Sequence, residues 1–192
     1  MRRGNVTGRA FVDILLLVNA VLGTLVLFLL PSINPPAADS AAIEPPGQMI
    51  ISAVWPEGPV DVDLWVRAPG EKKPVGYSNR GGSVMNLLRD DLGTSADSLP
   101  MNYENSYSRG LPAGEYVVNV HLYKGAAPVP VVVEVRFGPP GAAPFLLVDE
   151  TVTLAREGQE LTVVRFRIDA AGKVVPGSVN RVFEPLRAAK EG

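Results

Sequence analysis

The sequence predicts a single N-terminal transmembrane α-helix followed by an all-β antiparallel sandwich domain. Three observations carry that expectation. Phe11 to Leu30 reads FVDILLLVNAVLGTLVLFLL, twenty residues with one charge, bounded by Arg9 and Pro31. From Gln48 onward the apolar residues recur at a period of two, the signature of half-buried strands. Glycine and proline punctuate those runs, and no useful helical period follows residue 30 except near Leu186–Lys190.

The first element is a tail, residues 1–10, carrying Arg2, Arg3 and Arg9. The next basic residue is Arg67. By the positive-inside rule the tail is cytoplasmic and everything beyond Pro31 lies outside. The second element is the helix, residues 11–30. At 1.5 Å per residue it reaches about 30 Å, the thickness of a hydrocarbon core. A cleaved signal peptide is the competing reading. Its apolar region is usually about 7–15 residues, shorter than this one, and it does not carry residues such as Asp13, Asn19 and Thr24.

Asp13 is the informative residue in that helix. A carboxylate inside a spanning segment costs roughly 2.5–3.5 kcal/mol by insertion scales, so it signals a function by default. Helical geometry places positions 16, 17, 20, 24 and 27 on its side, with Asn19 and Gly23 on the adjoining flank. Asn19, Ala20, Gly23 and Thr24 therefore form a small, polar packing patch beside the acid. Small residues permit close helix approach, and Asn or Thr can bond across helices. Leu15, Val18, Leu22, Leu25 and Leu29 dominate the other side. The bland alternative is a plain anchor whose acid reaches the cytoplasmic headgroups, which a short side chain does poorly.

Asn5-Val6-Thr7, followed by Phe11-Val12-Asp13-Ile14-Leu15-Leu16-Leu17, resembles the N-terminus of the ExbD/TolR family of ion-motive-force transducers, related in mechanism to the MotB stator subunit. The resemblance covers about the first 30 residues. It departs in lacking a proline after Thr7 and in a spacing from Asn5 to Asp13 longer by two residues. It implies that Asp13 carries a translocated proton. It also implies a multi-span partner of the ExbB/TolQ/MotA kind, and a homodimer within that partner's ring.

Residues 31–47, PSINPPAADSAAIEPPG, form a Pro/Ala-rich linker. Pro35-Pro36 and Pro45-Pro46 favour polyproline II geometry, which at about 3.1 Å per residue reaches roughly 50 Å. The sandwich follows over 48–180. Val60, Val62, Leu64 and Val66 share one strand face, with Asp61, Asp63 and Trp65 on the other. Glu115–Tyr123 alternates likewise. Val129–Phe137, Phe145–Leu154 and Leu161–Ile168 add three more strands, the last two joined at Glu157-Gly158-Gln159. Asp169-Ala-Ala-Gly172 closes the final strand, and 181–192 reads as a C-terminal tail.

The strings DVDLWVRAP, NYEN and PAGEYVVNVHLY, within residues 58–136, resemble a bacterial extracytoplasmic β-sandwich family. That likeness implies a fold rather than an activity. No peptidoglycan-binding motif of the MotB kind is present, which leaves the envelope target unknown.

Composition narrows the function. The chain has 192 residues, no cysteine and a net charge of −2. Fifteen basic and nineteen acidic side chains lie beyond residue 30, which argues against nucleic acid as a partner. No nucleophile elbow, paired His/Cys ligands or phosphate-binding glycine loop occurs, so the chain is not expected to be an enzyme. His121, the only histidine, reads as a satisfied surface or edge residue, and Trp55 and Trp65 as packing residues. Asp61 and Asp63 on one strand, with Asp90, Asp91 and Glu104 in loops, supply oxygens of the kind Ca²⁺ takes. They match no EF-hand spacing, and solvated turns are the plainer reading.

The function expected is that of an ExbD/TolR-like subunit of a proton-driven inner-membrane motor, without a cofactor. The alternative is a passive, membrane-anchored periplasmic binding or adhesion module that takes calcium.

Overall fold

A computed structural model describes residues 6–33, 48–93, 101–138 and 144–187. The chain divides into two units, Met1–Ile43 and Glu44–Gly192. The first contains one helix, α1 (Val6–Ile33). Within it, Gly8–Leu29 is long and apolar enough to cross a membrane. The helix runs past Pro31, so it takes the first residues of the expected linker; residues 34–47 lie outside the described residues.

Among the described residues, the second unit is a β-sandwich of eight antiparallel strands: β1 (Met49–Trp55), β2 (Asp61–Arg67), β3 (Met85–Arg89), β4 (Asn102–Ser108), β5 (Gly114–Lys124), β6 (Val129–Phe137), β7 (Phe145–Leu154) and β8 (Glu160–Ile168). One sheet has the order β3-β4-β1-β6-β7, the other β2-β5-β8. Their inner faces close on one core. Met49, Ile51, Ala53 and Trp55 of β1 and Val129, Val131, Val133, Val135 and Phe137 of β6 meet Val62, Leu64 and Val66 of β2 and Tyr116, Val118, Val120 and Leu122 of β5. Alternation in sequence becomes alternation in burial because successive side chains point to opposite faces. β6, β7 and the Glu157–Gln159 turn lie where the sequence predicts them, and β8 begins one residue earlier.

Besides the overrun of α1 and the presence of β3, which the sequence does not predict, two features depart from the sequence-based expectation. The first is β4, whose Asn102-Tyr103-Glu104-Asn105 stretch was expected to be a loop. Its inward positions are Asn102, Glu104, Ser106 and Ser108, all buried. Here a polar row faces the core, inverting the usual pattern.

The second is the outer face of the three-stranded sheet, which is covered rather than solvated. After β8 the chain turns at Asp169–Lys173 and runs back as an extended strap, residues 173–187. Val175 N–H donates to the Arg167 carbonyl, and Asn180 and Arg165 exchange backbone bonds of 2.8 and 2.9 Å. Further along, Glu184 N–H donates to Thr162 Oγ1 and Leu186 N–H to Glu160 Oε1. Leu186 completes a small second core with Trp65 and Val117. Residues 181–187, expected in a tail beyond the sandwich, are thus part of its packing. Leu186 and Arg187 are not helical, and 188–192 lie outside the described residues.

Candidate functional site

The helix site is simple in geometry. Asp13 lies on the exposed surface of α1, and among the described residues it has no hydrogen bond or ion pair. Asn19 and Thr24 do have partners. Asn19 Nδ2 donates to the Leu15 carbonyl at 2.8 Å, and Thr24 Oγ1 to the Ala20 carbonyl at 2.8 Å. Both bonds run back four residues within the helix, which lowers the cost of holding these groups in hydrocarbon. Gly23 has open space around it, so a methyl added there meets nothing within the chain. One face therefore offers an unpartnered acid and, beside it, polar groups already partly satisfied.

The second site lies at the free edge of β2. Trp55 Nε1 donates to the Val60 carbonyl, and Asn102 Nδ2 to the carbonyls of Pro56 and Gly58, so the β1–β2 turn is pinned from below. The chain leaving β3 then presses against it. Gly93 has φ +62, and a Cβ there would stand 1.9 Å from the Val60 carbonyl oxygen, so only glycine permits the approach. That approach carries Asp90 and Asp91 to β2, where Asp61 and Asp63 already lie.

Glu104 joins them from the opposite sheet. It sits directly across from Ala53 in the β1–β4 register, on the inner face, and is fully buried. Its Oε2 accepts a 2.7 Å bond from the Leu64 N–H, one of the backbone donors along the edge of β2. The structure thus brings together all five carboxyl groups singled out in the sequence. It places Glu104 on a strand rather than in a loop.

Five carboxylates at one edge would repel strongly, and the fold relieves that in two ways. Burial above all, with Asp63 and Asp90 adding, pushes Glu104 up to about 9, against the opposing pull of the Leu64 N–H. Glu104 is therefore a neutral acid at pH 7; its second oxygen, Oε1, is buried without a hydrogen-bond partner, as are Asp90 Oδ1 and Asp61 Oδ1. Burial also raises Asp91, but its bond to Arg89 and the N–H groups of Gly93 and Tyr103 outweigh this and hold it below the usual carboxylate range. Burial, then the charges of Asp63, Asp90 and Asp91, push Asp61 up to about 6. Among the described residues no group of three or more His, Cys, Asp or Glu side chains is arranged to hold a metal ion.

Asp63 has a further partner that the sequence did not reveal. It stands opposite His121 in the β2–β5 register, and its Oδ2 lies 2.8 Å from His121 Nδ1. His121 is 1% exposed and lies on the central strand of its sheet, so it is neither a surface nor an edge residue. Arg187 of the strap covers the other ring nitrogen, Nε2. Trp65 and Asn119 occupy the next row, Asn119 donating to both Glu160 Oε1 and the Glu184 carbonyl. One signal pointed here: a tryptophan alternating with aspartates on a face expected to be wet. Trp55 and Trp65 are both packing residues, as expected.

Compared with protein-family models, curated proteins and solved structures, the chain matches none.

Proposed function

We propose that this protein is an ExbD/TolR-like subunit of a proton-driven motor in the bacterial inner membrane. Its N-terminus is cytoplasmic and its sandwich periplasmic. The observation that carries the reading is Asp13, an acid without a partner inside an apolar span. Asn19 and Thr24 satisfy themselves along the helix; Asp13 does not. A lone carboxyl in hydrocarbon needs either a proton or a partner from another chain.

A multi-span subunit of the ExbB/TolQ/MotA kind supplies that partner, surrounding a homodimer of this chain. Proton entry neutralises Asp13 and changes which helix packing is favoured. Each charge crossing a 100 mV potential supplies about 2.3 kcal/mol. The sandwich delivers the movement to an envelope target. The reading requires no cofactor and no enzymatic centre.

The test is complementation of a deletion strain. Asp13→Asn keeps the size and hydrogen bonding of the side chain but cannot exchange a proton. It is expected to insert and assemble at wild-type levels while failing to restore function. Full complementation by that variant would defeat the motor reading and leave a passive anchor.

A further inference from the structure

An open sheet ends in strands whose outer backbone groups lack a partner, and four strands of this sandwich stand at such an edge: β3 and β7 of one sheet, β2 and β8 of the other. The chain covers three of them. Along β3, Leu87 N–H donates to the Arg80 carbonyl and Gly82 N–H to the Met85 carbonyl, both at 2.8 Å. Along β2, Val66 and Val75 exchange bonds of 2.8 and 2.7 Å, and Leu64 N–H donates to Glu104. Along β8, the strap pairs through Asn180 with Arg165 and through Val175 with Arg167. β7 is the exception. It is ten residues long, and among the described residues nothing bonds to the outer side of its backbone.

The register identifies the free groups. Gly138 N–H donates to the Gln48 carbonyl, continuing the Met49–Phe137 register of β1 and β6. Bonded pairs recur at every second residue of an antiparallel ladder, so Val132 and Glu134 turn their backbone groups to β1. Val129, Val131 and Val133 turn theirs to β7, where Leu154, Val152 and Glu150 lie opposite. Pro130, opposite Thr153, has no N–H to give and falls among the residues turned away from β7. The N–H and C=O groups of Asp149, Thr151 and Thr153 therefore point out from the sheet edge, three donors and three acceptors in one row. All three residues are exposed.

Charge indicates what the row takes. Asp149 lies directly across from Glu134, and like charges in that position destabilise a sheet. Glu134 is satisfied by Arg136 at 2.9 Å. Glu150, on the opposite face of β7, is paired with Arg181 of the strap. Asp149 has no hydrogen bond or ion pair among the described residues. A second copy added antiparallel about Thr151 would set each Asp149 opposite a Thr153 and leave both acids unpaired. A strand with Lys or Arg opposite Asp149 supplies the missing cation and pairs the backbone row at the same time.

We propose that the edge of β7 from Asp149 to Thr153 is a docking site for an extended, basic segment of a partner protein, which joins the five-stranded sheet as a further strand. Main-chain bonds to the three residues hold the segment, and Asp149 selects its charge. The site does not depend on the motor reading. It serves a motor subunit and a passive anchor alike.

The test follows hydrogen exchange at single amides of the full chain in phosphatidylcholine nanodiscs. Without a probe, Asp149, Thr151 and Thr153 should exchange at least about tenfold faster than Glu150 and Val152, after correction for intrinsic rate, the scale of one hydrogen bond. Equal protection of the two sets would overturn the proposal, since the chain would then cover its own edge. Protection that rises with protein concentration would also overturn it, in favour of a second copy. Two synthetic peptides serve as probes, one alternating Thr with Lys, the other Thr with Glu. The Lys peptide at saturation should slow the three amides at least about tenfold, and the Glu peptide should not. Thr151→Pro removes an outward N–H and leaves the β6–β7 ladder intact, so it should abolish that protection while Glu150 and Val152 keep theirs. Asp149→Lys, which keeps every backbone donor, should reverse the preference to the Glu peptide. A Lys peptide that protects none of the three amides, or that protects them equally in Asp149→Lys, would overturn the proposal.

Discussion

Glu104→Gln separates burial of a neutral acid from burial of a charge. Glu104 is fully buried, and its carboxyl is pushed up to about 9 in the fold against an ordinary value near 4.5. Because the folded value is the higher one, the folded state holds a proton that the unfolded chain has already lost. Stability is fully present below about pH 4.5 and is lost as pH rises toward about 9. In that window each pH unit costs up to about 1.4 kcal/mol for one proton.

From pH 6.5 to pH 8 the loss is therefore about 2 kcal/mol, or about 6 °C in melting temperature for a domain of this size. Asp61, raised to about 6, has released most of its proton before this range begins, and Asp91, lowered, acts below it. Glutamine keeps the acceptor for the Leu64 N–H and presents an amide donor to Asp90, yet cannot ionise. Its melting temperature should be nearly flat where the wild type falls. Tryptophan fluorescence is a suitable readout, because Trp55 and Trp65 are the only tryptophans and both lie in the sandwich core regions. Parallel curves for the two proteins between pH 6.5 and pH 8 would refute the claim that Glu104 is buried as a neutral acid.

The other predictions concern packing and ligands. Gly23→Leu, on the small-residue face of α1, should weaken co-purification with the partner ring, whereas Leu25→Phe on the opposite side should not; equal effects would show that the face is misassigned. Leu186→Ala should cost about 2 kcal/mol, near the low end for a buried leucine because the strap can settle onto Trp65, and a melting temperature within 1 °C or so of wild type would show that the strap adds little. Millimolar calcium should leave the melting temperature unchanged, since a proton on Glu104 and the Arg89 bond to Asp91 already relieve the repulsion. A calcium-dependent rise that disappears in Asp63→Ala would instead assign a cation to the cluster.

Much of the fold was legible because burial follows alternation. β6 and β7 begin and end where the sequence places them, and β2, β5 and β8 differ from expectation by about one residue at their ends. β4 was illegible for a physical reason. Its inward row is Asn, Glu, Ser and Ser, so hydrophobic periodicity assigns it to a loop. The five carboxyl groups were legible as residue types, but their meeting depends on β4 lying beneath the edge of β2, a long-range pairing that no local pattern encodes. The proton on Glu104 follows from burial that the pairing alone creates. His121 was misplaced for a related reason: its outward face is wet only until the strap crosses it, and the strap has no periodicity of its own.

The central claim is that Asp13 carries a proton across the membrane, and proton flux measures it directly. The complex of this chain with the multi-span partner proposed above, purified from native membranes and reconstituted into vesicles with an imposed potential, should take up protons as reported by an internal pH dye. The Asp13→Asn complex, of equal composition, should show only the leak of empty vesicles. Equal flux through the two complexes would contradict the account.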